Sequence, residues 1–324
     1  DIAKVAYPKF KEKLQVCRDL FFGFDYSGFA EGTPLAMAKL ISGGANFILD
    51  AREPQRKDMF AKEAMLLKQA HSLCSSLTTE QERHEAAYFE AVRATVAKLT
   101  IGGQGGKPMS LTEINAQINE LLKASIQSEG VINLFDSKTH GENFSLFDPN
   151  ILEEIAKMKE KNSAVEILRK LMAEQIALYR RTNVVKLQLF SEKITLLMNA
   201  YYNGLITNEE VIKELLETAE HIAEMQKQGD ALGLTAEELA FYDALTKPEA
   251  IKDFYSNEEL VALTRELTEA LRCNRTIDWQ KKETARAAMR KMVKRLLKRH
   301  KYPPEGVDDA IETVMSQCEM WVDN

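Results

Sequence analysis

At 324 residues, with 45% hydrophobic and 28% charged side chains, the chain is long for a single core and too apolar to be a disordered tail. No run of about 18 apolar residues occurs, which excludes a transmembrane helix, and no apolar signal region opens the sequence. The net charge of −6 hides an asymmetry: residues 281–301 hold ten Lys or Arg against one acid, so that window is +9 and the rest of the chain is −15.

The elements predicted along the chain are helices. Thr33-Pro34 places a cap residue before a proline at the first helical position, and Gly43-Gly44 is expected to end that helix. Thr79 with Glu82 forms a capping box, in which the hydroxyl accepts from the third helical N–H and the carboxylate reaches back to the cap. The same pattern recurs at Ser110/Glu113, Ser163/Glu166, Thr207/Glu210, Thr235/Glu238 and Ser256/Glu259. Asp148-Pro149 opens a further helix, and Gly229 is expected to close the one that follows Thr207. No alternating series of strands stands out; Val131–Phe135 is the best candidate and reads equally as a helical turn. The expected fold class is all-α, an irregular multi-helix bundle in two subdomains with no substantial sheet. The boundary is placed in the irregular stretch 130–150, giving subdomains of 1–145 and 146–324.

Catalytic chemistry is hard to find. The loop Gly102–Lys107 resembles a phosphate loop, but Ile101 stands at the first glycine position and Pro108 where magnesium would need Ser or Thr. It also follows a helix, so a solvated hinge is the better reading. The five histidines, His71, His84, His140, His221 and His300, are scattered and give no ligand spacing or triad. Cys17, Cys74, Cys273 and Cys318 are far apart, with no C-x-x-C pair, which points to reduced, mostly buried thiols. The Glu-rich run from Glu209 to Glu224, interleaved with lysine, reads as a solvated helical face. No catalytic residue, metal ligand or cofactor site is assigned to this chain.

The basic window carries the one functional signal. Asp278 is expected to cap a helix running from Trp279 to His300, with Ala285, Met289, Met292, Val293 and Leu296 on its apolar face. Arg286, Arg290, Lys294 and Lys298 form one cationic stripe, and Lys291, Arg295 and Arg299 the next. Three readings compete for this face: neutralisation by the chain's own acidic helices, contact with a nucleic-acid backbone, or docking on an acidic partner protein.

A set of blocks stands out along the chain: Arg180-Arg181-Thr182-Asn183, Phe190-Ser191-Glu192, residues 211–215, residues 232–245, Thr276-Ile277-Asp278-Trp279, residues 293–297 and Tyr302-Pro303-Pro304. Together they are similar to the C-terminal helical region of the R subunit of type I restriction–modification enzymes. Upstream, residues 17–21, 23–27 and 87–92 look like the segment that follows the second motor domain. Lys301 departs from the glycine expected before Tyr302. The resemblance implies a non-catalytic, cytoplasmic piece of an ATP-dependent type I site-specific deoxyribonuclease. ATP and magnesium would then belong to the nuclease and motor domains, which precede the region resembled; the start at Asp1, without methionine, fits an excised fragment. The implied partners are the modification and specificity subunits of the methyltransferase core, with double-stranded DNA along the basic helix and no membrane. The resemblance favours the two partner readings of that helix without choosing between them. The alternatives are a stand-alone helical nucleic-acid-binding or scaffold protein, and an enzyme with an unfamiliar helical site.

Overall fold

A computed structural model describes residues 2–100, 149–275 and 279–322. Among these residues there are twelve α-helices and no strand, as an all-α class requires. They are α1 (Ile2–Leu20), α2 (Pro34–Ile48), α3 (Pro54–Cys74), α4 (Glu80–Leu99), α5 (Pro149–Lys157) and α6 (Lys161–Tyr179). There follow α7 (Val184–Tyr202), α8 (Asn208–Ala231), α9 (Ala236–Thr246), α10 (Asn257–Asn274), α11 (Glu283–Arg299) and α12 (Val307–Val322). The glycine-rich loop, the Ser110/Glu113 pair, Val131–Phe135, Asp148, Thr276-Ile277-Asp278 and the 145/146 boundary lie outside the described residues. The chain divides into two compact units, Asp1–Ala173 with Leu196–Glu217, and Glu174–Thr195 with Thr218–Asn324.

In the first unit α1 packs on α3, and α4 packs on both α2 and α3. Phe10, Leu14, Cys17 and Phe21 recur at helical spacing and are all buried. The Phe21 ring lies 5.2–6.0 Å from those of Phe24, Tyr26, Phe47, Phe60, Tyr88 and Phe89. The blocks 17–21, 23–27 and 87–92 therefore meet in one aromatic core, and Arg18 grips Glu85 with a two-pronged hydrogen bond at 2.7 Å beside it.

The structure departs from three sequence expectations. Helix α2 does not stop at Gly43-Gly44 but runs through them to Ile48. A side chain at Gly44 would collide with the Tyr88 hydroxyl and meet Val92 and Phe21, so the glycine serves close helix packing. Ser163 is not a cap either: it is buried inside α6, and Glu166 instead accepts from the Tyr202 hydroxyl at 2.6 Å. The first N–H groups of α6 are capped from a distant element, because Asn46 Oδ1 accepts from Asn162 N at 2.9 Å and Ser163 N at 3.2 Å. In the second unit Gly229 lies within α8, where a side chain would strike Leu239, and Gly233 takes the left-handed conformation (φ 63°) instead.

The capping boxes at Thr79, Thr235 and Ser256 are all formed, and Thr207 and Glu210 exchange the same two bonds. The second unit's core joins α9, α10, α11 and α12 around Trp279, which is fully buried. Tyr302 donates to Leu245 O at 2.6 Å and Tyr255 to His300 O at 2.8 Å. The turn at residues 180–183 is held twice. Asn183 Nδ2 donates to Asp243 at 2.6 Å, while Gln317 accepts from Val184 N at 2.8 Å and donates to Thr182 O at 3.0 Å.

Candidate nucleic-acid interface

Helix α11 starts four residues later than expected, at Glu283. Trp279 and Gln280 sit in a turn, the indole having been drawn into the core. Alanine, methionine, leucine, lysine and arginine, all strong helix formers, fill most of the helix. Glu283 in the first turn and Lys298 and Arg299 in the last complement its dipole. The C-terminus is closed by a paired bond set: Lys301 N donates to Lys298 O at 3.1 Å and Tyr302 N to Leu297 O at 2.9 Å. This places Lys301 at φ 58°, a conformation that glycine normally supplies.

The inward face is Met289, Val293, Leu296 and Leu297, all buried, with Ala285 and Met292 partly so. Leu297 is not among the apolar positions that helical spacing predicts; it lies at the edge of the stripe, where burial depends on the neighbouring helix.

The seven cations separate into groups. Arg286 pairs with Glu319 at 2.8 Å, Arg290 with Glu312 at 3.3 Å and Glu283 at 3.8 Å, and Lys294 with Asp308 at 3.9 Å. One flank of α11 is thus matched by an acidic row on α12. On the other flank Arg299 pairs with Glu266 of α10, which also meets His300 Nε2 at 2.6 Å. Lys291, Arg295 and Lys298 are exposed and make no ion pair within 4.0 Å among the described residues. At 100° per residue these three fall within a narrow arc opposite Val293 and Met289. The uncharged exposed residues on this side of the helix are Thr284, Ala287 and Ala288, and the exposed Lys294 and Arg299 flank the arc. The sequence could not show the acids of α10 and α12, because the pairings are fixed by tertiary packing.

A family model described as "Type I restriction enzyme HindI endonuclease subunit-like, C-terminal" matches residues 2–324. The chain belongs to this family. Within the type I endonuclease subunits it is 35% identical over 266 residues to the type I restriction enzyme HindI endonuclease subunit of Haemophilus influenzae, covering 82% of the chain and 25% of that protein. It is 25% identical over 263 residues to a putative type I restriction enzyme MjaIXP endonuclease subunit of Methanocaldococcus jannaschii, covering 80% and 24% respectively. The chain spans about a quarter of the length of these relatives. No solved structure matches it. The resemblance to the R subunit of type I systems, drawn from blocks between residues 17 and 27, at 87–92, 180–183, 190–192, 211–215, 232–245, 276–279, 293–297 and 302–304, is therefore established.

Among the described residues of this family member, no group of three or more His, Cys, Asp or Glu is placed to hold a metal ion. No helix there is long and apolar enough to cross a membrane. Cys17, Cys74 and Cys318 are buried and Cys273 is exposed, all four as free thiols.

Proposed function

We propose that the chain is a non-catalytic helical module of a type I restriction endonuclease subunit. In this reading it couples the ATP-dependent translocase and nuclease to the methyltransferase core of modification and specificity subunits. The cationic face of α11 would lie along duplex DNA as a secondary contact. The observation that carries the reading is the family match across residues 2–324, to a C-terminal region only about a quarter as long as the relatives. ATP and magnesium would be bound by the remaining parts of such a subunit, and the assembly would work in the cytoplasm.

The test is analytical gel filtration and calorimetry of the 324-residue chain with its methyltransferase core, with and without duplex DNA, at two salt concentrations. A stable complex without DNA is the expected result. Binding to duplex but not to the core would overturn the coupling role and favour a stand-alone nucleic-acid-binding protein. Binding to neither would overturn the whole reading.

A further inference from the structure

The seven cations of α11 differ in what already holds them, and that difference assigns them different roles. Arg286 and Arg290 are half-buried and tied to α12, with side chains 28% and 34% exposed. A cation already matched by a carboxylate brings little net field to a second anion, because the carboxylate must be displaced or repelled first. Lys294 and Arg299 also have carboxylate partners, although these pairs are open to water. Lys291, Arg295 and Lys298 face solvent without such partners among the described residues. They project as a ridge along about two turns of helix, with Lys291 and Lys298 seven residues, or about 10 Å, apart along the axis.

We infer that Lys291, Arg295 and Lys298 form the contact with the phosphate backbone of duplex DNA, while Arg286, Arg290, Lys294 and Arg299 act as latches to α12 and α10. The inference rests on the reading of α11 as a DNA contact and deepens it. The character of the ridge favours a nucleic acid over an acidic protein. Protein interfaces take their strength from apolar or aromatic anchors surrounded by a polar rim. The ridge has none: the uncharged exposed residues on its side of the helix are Thr284, Ala287 and Ala288, with the exposed Lys294 and Arg299 at its flanks. Small side chains suit a polyphosphate surface, since they let the helix approach the backbone closely and leave the long cations to reach individual phosphates. Such a contact positions a duplex and reads no sequence.

Counterion release makes the claim quantitative. Each phosphate neutralised contributes about −0.9 to the slope of log K against log salt concentration, so three ridge cations account for about 2.7 of that slope. The experiment is fluorescence anisotropy of the 324-residue chain with an unspecific duplex from about 50 to 200 mM salt. It compares the wild type with the triple variant Lys291→Gln, Arg295→Gln, Lys298→Gln. A second triple variant, Lys4→Gln, Lys62→Gln, Lys227→Gln, removes the same charge from exposed positions elsewhere. Thermal melts establish that both variants remain folded, as expected because neither set breaks an ion pair among the described residues.

The expected result is a slope flattened by about 2.7 in the ridge variant and by less than about 1 in the control variant. Binding that keeps its wild-type slope in the ridge variant overturns the assignment while leaving DNA contact by the chain intact. Equal flattening in both variants overturns it too, since net charge alone would then be responsible. Failure of the wild type to bind duplex overturns the DNA reading itself. A ridge variant that instead loses affinity for the methyltransferase core in the absence of DNA reassigns the ridge to an acidic protein surface.

Discussion

Lys186 and Asp243 form an ion pair at 3.6 Å with side chains only 3% and 11% exposed. Lys186→Met keeps the length and apolar stem of the side chain but leaves the carboxylate with Asn183 as its remaining donor, at 2.6 Å. Removing one member of a buried pair costs about 3–5 kcal/mol, whereas removing both charges is often close to neutral. Lys186→Met is therefore expected to destabilise the second unit by about 3–5 kcal/mol, and adding Asp243→Asn to recover most of that loss. Burial already pushes Asp243 above the usual carboxylate range, against the opposing pull of Lys186 and Asn183. A carboxyl raised in the folded state contributes stability that is fully present below its unfolded pKa and lost as pH rises through its folded one. Without Lys186 the folded value climbs further. The deficit is then largest at neutral pH and shrinks as pH is lowered toward about 4. Urea unfolding followed by tryptophan fluorescence reads this unit selectively, since both tryptophans, Trp279 and Trp321, belong to it. A loss below about 1 kcal/mol at pH 7, the scale of an exposed pair, would refute the reasoning. So would a loss that does not shrink on acidification.

Lys301→Gly should stabilise the same unit by about 0.5–1 kcal/mol in that assay. A left-handed L-residue costs about 1–2 kcal/mol, and the greater unfolded freedom of glycine offsets part of the gain. Gly44→Ala should lower stability despite better helix propensity: overpacking against Tyr88, Val92 and Phe21 costs about 1–3 kcal/mol and propensity returns about 1, read by thermal melting in circular dichroism. Asn46→Ala should cost about 1 kcal/mol by stripping the cap from α6, and Asn46→Asp should retain most of it in the same melt. Under native conditions a thiol reagent should titrate Cys273 alone, and all four cysteines in denaturant, because burial both hides the others and pushes Cys17 and Cys318 up to about 12.

The sequence disclosed its structure where the interaction was local. Thr79, Thr207, Thr235 and Ser256 could be recognised because each bonds to a residue three positions away in the same helix. Ser163 and Glu166 have the same spacing, yet the bonds go elsewhere: the helix start is satisfied by Asn46, more than a hundred residues earlier, and the carboxylate by Tyr202. Glycine misled for a related reason. At Gly44 and Gly229 its value is the absence of a side chain at a helix crossing, which no local pattern reports, while the strained position at the end of α11 is filled by lysine. The candidate site follows the same division. Helical periodicity predicted the apolar stripe of α11 but not its partners, because which cations are matched depends on Asp308, Glu312 and Glu319 of α12 and Glu266 of α10.

The double clasp of Gln317 on the turn at 182–184 has a consequence for the order of events during synthesis. The two ends of this clasp are separated by 133 residues of chain. At ribosomal speeds of about 5–20 residues per second, the Thr182 carbonyl and Val184 amide wait on the order of 10 s before Gln317 has been made. Until then water must occupy both groups, and Asp243 arrives first to meet Asn183. The second unit is therefore assembled like a strap, threaded early and buckled only when its last helix emerges.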